Sequence, residues 1–332
     1  MKIDWVGGLL GGGLMAVATS SFLALTGRLI GLSGIFSGVS KPSVSGFSWK
    51  ASFTSGLLLG SVVTQMQTRG DWILLPFNGT FPSWFAYIAG GFLVGFGTRL
   101  ANGCTSGHGL CGIARFSVRS TLATITFLGT GIVTATMIDA LGGGPFRNLP
   151  GAFDQSHDYL RWFAAASAFG LLVRSVWRSR GDGNSLINVI VPFGAGATFG
   201  AGLMVSAMPT PEKLLGFLTM TNFETWDATL MAVFATGVAL NSIFFKLILS
   251  SLERPVLAET DEEAKFEIPA NNYDITRKLI LGSIMFGGGM GISGACPGPG
   301  GVLMAMGMPK GWAFTISMYA GFEAVSRLQK IL

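Results

Sequence analysis

Nine apolar stretches, each close to the length that crosses a lipid bilayer, run through this sequence of 332 residues. They occupy 5–25, 49–68, 84–102, 119–140, 160–178, 187–207, 226–250, 277–294 and 311–329. A transmembrane helix takes about 20 predominantly apolar residues, and a very apolar soluble protein does not account for so many such stretches. Charged residues supply only 12% of the chain, against about 25% in soluble proteins. The sequence therefore predicts an all-α polytopic membrane protein with about nine transmembrane helices.

The remaining composition narrows the function. The chain has 49 glycines, about twice the usual share, and small residues let membrane helices approach closely. The net charge of +5 is spread along the chain rather than gathered in a run, so no nucleic-acid partner is expected. Three cysteines and two histidines lack the spacing of a disulfide framework or a metal site. We therefore expect no metal and no cofactor.

Four shorter segments lie between the long stretches, at 27–40, 105–116, 209–219 and 298–308. They carry Gly, Ser and Pro among apolar residues, so they are too short to cross a bilayer and too apolar to be ordinary surface loops. Irregular backbone at membrane depth is tolerated only where it is buried in protein or lines a cavity. The sequence therefore predicts four re-entrant segments.

Two of these segments are introduced by matching glycine-rich runs, one around Cys104 and one around Cys296. A shift of 192 positions places Cys104 on Cys296 and Gly95 on Gly287. Glycine- or proline-interrupted apolar segments at corresponding positions of two halves are the best sequence indicator of a transporter binding site. The chain is therefore interpreted as two repeats in one membrane domain.

The boundaries of this organisation follow from the spans. The single membrane domain is 1–332, the first repeat is 1–140, a linker with the fifth helix is 141–186, and the second repeat is 187–332. With the N-terminus outside, 15 Lys and Arg residues lie on inner segments and 6 on outer ones. The positive-inside rule then favours an outer N-terminus and an inner C-terminus. In that orientation the segments after Cys104 and Cys296 enter from opposite faces, so the repeats are inverted.

The broken segments are suited to binding an anion. Glycine-rich turns let backbone N–H groups converge, and short helices that begin there point partial positive charge at the ligand. The thiols of Cys104 and Cys296 are candidate S–H donors to a passing solute. The other candidate binding residues in these runs are Gly103, Thr105, Ser106, Gly107, His108, Gly294, Gly298, Gly300 and Gly301. The alternative is that the glycines only allow tight helix packing.

Arg99, His108 and Cys111 each have a functional and a structural interpretation. Arg99 is the cation inside an apolar span, five residues before Cys104, and an ionisable residue at such a position predicts function. Alternatively, Arg99 reaches the inner interface or pairs with Glu323. His108 either donates to an anion or forms structural hydrogen bonds. Cys111 is interpreted chiefly as a small packing residue.

The runs at 95–109 (GFGTRLANGCTSGHG) and 291–299 (GISGACPGP) resemble the two signature motifs of the YeeE/YedE family of sulfur-transport membrane proteins. The runs at 27–35 (GRLIGLSGI) and 202–217 (GLMVSAMPTPEKLLGF) match as well. The similarity therefore covers nearly the whole chain, which resembles a fusion of the two half-length proteins found in some members.

This resemblance implies thiosulfate uptake through a nine-helix inverted-repeat fold, with the anion passed along cysteines that match Cys104 and Cys296. A third relay cysteine of the family is absent here, and its stretch holds Ser33, Phe36 and Ser37 instead. Ser33 and Gly34 of this stretch are further candidate binding residues. The implied protein is a multi-pass transporter of the bacterial inner membrane rather than an enzyme. Its implied partners are the bilayer, thiosulfate or a related sulfur anion, and a cytoplasmic sulfur-carrier protein.

Three other functions stay open at this point. The chain is alternatively a membrane sulfurtransferase that keeps sulfur as a cysteine persulfide, which requires an activated thiol. It is alternatively a transporter of another sulfur species. In the third, it is a membrane scaffold whose motifs only pack helices.

Overall fold

The computed structural model describes residues 4–41, 46–67, 82–143, 158–179, 186–221, 226–258, 265–269, 273 and 275–331. Its long helices are α1 (Trp5–Thr26), α3 (Phe47–Gln67), α4 (Trp84–Ala101), α5 (Val118–Ala140), α6 (Asp158–Ser179), α7 (Val191–Val205), α9 (Thr229–Ser251), α10 (Arg277–Ser293) and α12 (Pro309–Ile331). The four short helices in the predicted re-entrant segments are α2 (Leu32–Val39), the π-helix (Thr105–Gly112), α8 (Pro211–Leu218) and α11 (Pro297–Ala305). A second, five-residue π-helical stretch (Leu186–Ile190) precedes α7, and a 3-10 helix (Val256–Ala258) follows α9. Most of these bounds lie within a few residues of the predicted spans and re-entrant segments. Within the predicted linker 141–186, the structure describes 141–143, α6 and residue 186. Residues 144–157 and 180–185 lie outside the described residues.

Five helical stretches of the described chain are long and apolar enough to cross a membrane. They are Trp5–Thr26, Val118–Ala140, Asn188–Val205, Thr229–Ser251 and Arg277–Ala305. The other long helices contain more polar or charged residues; α4, for example, contains Arg99. The protein is therefore an all-α, multi-pass membrane protein, while the count of nine crossings stays a prediction.

The helices that precede the two cysteines end in the same way. α4 ends at Asn102 with φ 58°, and α10 ends at Gly294 with φ 64°. Both values lie in the left-handed region, which stops an α-helix and turns the chain sharply. Each stop comes two residues before its cysteine, so Cys104 and Cys296 stand at the first residues of a new direction.

Glycines set the helix packing, because carbonyls of neighbouring helices occupy the space where a Cβ would lie. Along α4, Gly91 and Gly95 contact the carbonyls of Phe314 and Met318 in α12. Since the residue numbers in α4 and those of their contacts in α12 increase together, the two helices run parallel. The same test shows parallel pairs for α1 with α9, α3 with α7 and α5 with α10. It shows antiparallel pairs for α4 with α10 and for α1 with α7.

Replacing Gly95 with alanine is expected to destabilise the protein by about 1–3 kcal/mol, since overpacking a tight contact forces the backbone to shift. The added Cβ would collide with the Met318 carbonyl oxygen. The matched control is Gly129→Ala in α5, where nothing lies within 4 Å of a Cβ. That control should be neutral or slightly stabilising, by up to about 1 kcal/mol. Thermal unfolding midpoints of the purified variants check the pair, and equal midpoints would contradict the packing argument.

Candidate functional site

The two cysteines from opposite halves of the chain come together at one place. Cys104 immediately precedes the π-helix, and Cys296 immediately precedes α11. The Thr105 hydroxyl donates a hydrogen bond to the Cys296 sulfur, with 3.4 Å between Oγ1 and Sγ. Both thiols are free and buried, with 1% and 2% of their surface exposed. One hydroxyl therefore links the segment of Cys104 to the thiol of Cys296.

The first turn of α2 completes this cluster. The Ser33 N–H donates to the Cys104 sulfur at 3.4 Å, and the Leu32 N–H donates to the Ser106 hydroxyl at 3.0 Å. The Cys104 sulfur and the Ser106 hydroxyl oxygen lie 3.3 Å apart. We call Ser33, Cys104, Thr105, Ser106 and Cys296 the thiol junction. The N-termini of three short helices meet at this junction, and helix N-termini favour negative charge.

A cavity of about 200 Å³ lies on one side of the junction. It is enclosed by the start of α2, the end of α4, the π-helix, the start of α5 and Pro269. Three arginines line it, Arg99, Arg115 and Arg119, and no Asp or Glu does so among the described residues. We call this space the arginine cavity. It adjoins the junction because Ser33 lines both.

Two of the three arginines donate to backbone carbonyls, and none of the three pairs with a carboxylate among the described residues. Arg115 donates from Nε to the Cys111 carbonyl at 3.2 Å and from Nη1 to the Pro269 carbonyl at 3.1 Å. Arg119 donates from Nη2 to the Ala101 carbonyl at 3.3 Å. The Nε atoms of Arg99 and Arg119 are buried without a hydrogen-bond partner in the described part of the chain. No carboxylate of the described residues therefore neutralises the positive charge of the cavity.

The expected alternative partner of Arg99 is engaged elsewhere. The Glu323 carboxylate contacts Arg327 Nε at 3.0 Å on the exposed side of α12. Arg99 instead faces the arginine cavity, a few residues before Cys104. The pairing with Glu323 considered from the sequence is therefore wrong.

A second, much smaller cavity also borders the junction. Its volume is about 20 Å³, and Thr105, Ser106 and Cys296 are its polar wall. The rest of the wall is apolar and comes from Met15, Leu32, Leu110, Phe199, Leu203, Met208, Val233, Phe234 and Pro299. A single water needs about 10–15 Å³ on this measure. This second cavity is therefore too small for a solute much larger than water.

His108 and Cys111 are both on the wall of the arginine cavity. The His108 ring bonds the Ser120 hydroxyl through Nδ1 at 3.1 Å and the Ala101 carbonyl through Nε2 at 3.4 Å. Both ring nitrogens are therefore used inside the protein. The Cys111 S–H donates to the Ile30 carbonyl at 3.5 Å. Cys111 also packs in a small apolar cluster, so its predicted packing role describes only part of its position.

The candidate glycines divide into three groups. Gly34, Gly103 and Gly107 line the arginine cavity, and nothing lies within 4 Å of the position of a Gly34 Cβ. Gly298 and Gly301 instead let α11 approach α2, since their Cβ atoms would lie 2.7 Å from Leu32 and 3.0 Å from Phe36. The other two stand at crowded contacts, Gly294 at the end of α10 and Gly300 beside the Phe314 ring. The packing interpretation therefore fits the glycines of α11.

Two charged features were not anticipated as parts of the site or the core. The 15 cations counted on inner segments include Arg115 and Arg119, and both of these line the arginine cavity. The 6 counted on outer segments include Lys213, whose ammonium group is buried and lies 2.8 Å from the Asp227 carboxylate. Their signal in the sequence was weak, because position in a segment does not tell which way a long side chain folds back. Among the described residues, no group of three or more His, Cys, Asp or Glu could hold a metal ion.

Comparison with known proteins gives matches to both halves of the chain. A family model described as "Sulphur transport" matches residues 2–134. A second, described as a family of unknown function, matches residues 187–332. A protein of Xylella fastidiosa named "Probable transporter" is 39% identical over 130 residues, which are 39% of this chain and 92% of that relative. Another protein of that name from the same species is 34% identical over 145 residues, which are 43% of this chain and 92% of the relative.

Proposed function

Because the chain belongs to the sulphur-transport (YeeE/YedE) family, we propose that it is a permease for a small sulfur-containing anion, with thiosulfate as its substrate. The family matches are those of two half-length forms joined in one chain. The observation that carries the proposal is the thiol junction, where Thr105 of one half contacts Cys296 of the other. Two thiols 192 positions apart in the sequence thereby belong to one buried polar site.

The chemistry of the junction suits a sulfur oxyanion. Hydroxyl, thiol and backbone N–H groups can each donate a hydrogen bond to oxygen or sulfur, and hydrogen bonds to a charged group are the strong ones. On this proposal the anion reaches Cys296 from the α11 side, passes Thr105 to Cys104, and leaves through the arginine cavity. Several weak sites in series favour passage over capture.

The inverted-repeat architecture and the orientation are parts of the same proposal. They are supported by the directions of packing: α4 and α10 occupy equivalent positions in the two repeats and run antiparallel. The partners α12 of α4 and α5 of α10 are also equivalent, and each of these pairs runs parallel. A two-fold axis in the membrane plane relates helices in this way. Nine crossings place the two termini on opposite sides, and the 15-to-6 excess of Lys and Arg places the N-terminus outside and the C-terminus inside.

Labelling with a membrane-impermeant maleimide tests the orientation. The three native thiols are buried, so single cysteines can be introduced without removing them. Tyr273 and Leu141 are 76% and 79% exposed. Leu141→Cys should react in intact spheroplasts, whereas Tyr273→Cys should react only after permeabilisation. The reverse pattern would overturn the orientation, and with it the assignment of Cys296 to the outer side.

Growth on thiosulfate tests the proposed substrate. A bacterium that lacks sulfate and thiosulfate uptake should grow on thiosulfate as sole sulfur source when it expresses this protein. Growth on cysteine controls for viability, and uptake of radiolabelled thiosulfate into vesicles gives the direct measurement. A protein that is present in the membrane but supports neither growth nor uptake would exclude thiosulfate.

The sulfurtransferase alternative needs a thiolate that attacks the outer sulfur of thiosulfate, breaks the S–S bond, releases sulfite and keeps the sulfur as a persulfide. Such a thiol needs an activating base. The bonds of Cys104 and Cys296 in the described structure go to hydroxyls and a backbone N–H. His108 bonds Ser120 and Ala101 instead. A mass spectrum of protein exposed to thiosulfate separates the two functions, because only the enzyme gains a stable sulfur.

A cytoplasmic sulfur carrier that accepts the anion is proposed by family analogy.

A further inference from the structure

We propose that the arginine cavity is a binding site for divalent oxyanions, and that it recognises their charge and oxygen atoms rather than sulfur. This inference rests on the proposed function in one respect: it takes the arginine cavity to be the inner end of the route that the transported anion follows. It goes further by assigning a ligand class to Arg99, Arg115 and Arg119, and by separating anion binding from sulfur selection.

Charge is the first support. Three arginines line one cavity, and no Asp or Glu lines it in the part of the chain that the structure describes. Like charges held together repel, and they repel more strongly when partly buried than in water. A bound dianion neutralises two of the three charges, whereas a monoanion neutralises one. The cavity is therefore expected to prefer sulfate, thiosulfate or phosphate to chloride or nitrate.

The free donors are the second support. Arg99 Nε and Arg119 Nε are buried and have no hydrogen-bond partner among the described residues. A buried donor without a partner is costly, and a bound oxyanion supplies acceptors. Guanidinium groups present planar sets of N–H donors that match oxyanions bidentately. The oxygens of a tetrahedral anion can thus accept from more than one arginine.

The size and the walls are the third support. A volume of about 200 Å³ far exceeds the 10–15 Å³ that one water needs, so an oxyanion fits together with some of its water. Gly34 and Gly107 leave their part of the wall without side chains. The thiol on this wall, Cys111, already donates to the Ile30 carbonyl. The described residues of the cavity therefore offer donors to oxygen, and none of their thiols is free to single out sulfur.

The site is also one-sided. The shift of 192 residues that places Cys104 on Cys296 places Arg99 on Gly291. The second half therefore has no counterpart of this cation in the same register. In the proposed orientation the cavity belongs to the inner face. Sulfate inside the cell should then occupy it without being transported, while the thiol junction selects for sulfur.

Isothermal titration calorimetry tests the site: sodium sulfate is titrated into the purified protein at low ionic strength, and the heat of binding gives the affinity. Arg99→Gln removes one charge without breaking a hydrogen bond seen in the structure, and it should weaken sulfate binding about 10- to 100-fold, as expected for a charge-assisted hydrogen bond. Arg99→Lys keeps the charge and should retain most of the affinity. The matched control, Arg327→Gln on the exposed side of α12, should bind like the native protein.

Three results would overturn the proposal: no sulfate binding by the native protein, equal affinity in Arg99→Gln and Arg327→Gln, or chloride binding as tightly as sulfate. The affinity should also fall as salt screens the charges. A native protein that binds sulfate but fails to transport thiosulfate would contradict the permease proposal and leave the anion site standing. Conversely, normal thiosulfate transport by an Arg99→Gln protein that binds sulfate as tightly as native would remove the anion site alone.

Discussion

Cys296→Ala is expected to lose most thiosulfate uptake while the protein stays folded in the membrane. In the proposed path the Cys296 thiol is the first sulfur that an entering anion meets, and a methyl group cannot donate to it. Losing a hydrogen bond to a charged group costs about 1.5–3 kcal/mol, which slows a step limited by that contact roughly tenfold to a hundredfold. Uptake of radiolabelled thiosulfate into reconstituted vesicles measures the effect.

The same substitution removes the acceptor of the Thr105 hydroxyl, so stability must be followed separately. Size-exclusion elution and thermal unfolding of the purified variant do this. Cys296→Ser restores an acceptor for Thr105 and should recover the fold, while its smaller, harder oxygen should restore uptake only in part. The matched control is Ser61→Ala, which removes a buried hydroxyl bonded within α3 and should transport normally. A folded Cys296→Ala protein with native uptake would refute the role of this thiol.

Cys104→Ala is expected to block transit while leaving entry to Cys296 possible. The Cys104 sulfur accepts from the Ser33 N–H and contacts the Ser106 hydroxyl, so its loss opens a gap between α2 and the π-helix. If the Cys104 thiol stabilises the anion at the rate-limiting barrier, losing this one charge-assisted hydrogen bond slows passage about tenfold to a hundredfold. Initial uptake rates in vesicles, compared at saturating thiosulfate, measure this step.

Two further variants show whether sulfur itself matters at this position. Cys104→Ser keeps a donor and an acceptor but changes bond length and polarisability, so a partial rate indicates a role for sulfur. Cys111→Ala removes the thiol that bonds the Ile30 carbonyl on the cavity wall, and its effect should be milder than that of Cys104→Ala. The relay is wrong if Cys104→Ala transports normally, or if Cys111→Ala proves the more damaging change.

Helix positions could be predicted from the sequence because they depend on local properties. The apolar spans and the Gly and Pro breaks each act over a few residues, and α4 and α10 accordingly end where Asn102 and Gly294 allow a left-handed turn. The four short helices likewise follow from segments too short to cross. The resemblance carried by the motifs around Cys104 and Cys296 also identified the family, since those motifs are contiguous in the chain.

The composition of the site could not be predicted in the same way. Whether a glycine faces a cavity, like Gly34, or a neighbouring helix, like Gly298, depends on which helix packs there. Arg115 and Arg119 looked like ordinary inner charges until the backbone brought them back beside Arg99. Arg99 itself was singled out, but its suggested partner Glu323 was wrong because that carboxylate bonds Arg327.

The sequence by itself determined the membrane class, the helix boundaries and the two cysteine-bearing breaks, because hydropathy and backbone preferences are local. Only the tertiary structure decided that the Thr105 hydroxyl reaches the Cys296 sulfur, that α2 directs an N–H at Cys104, and that three arginines share one cavity. Those contacts join residues far apart in the chain. Their geometry follows from how glycine-lined helices cross, which no local pattern encodes.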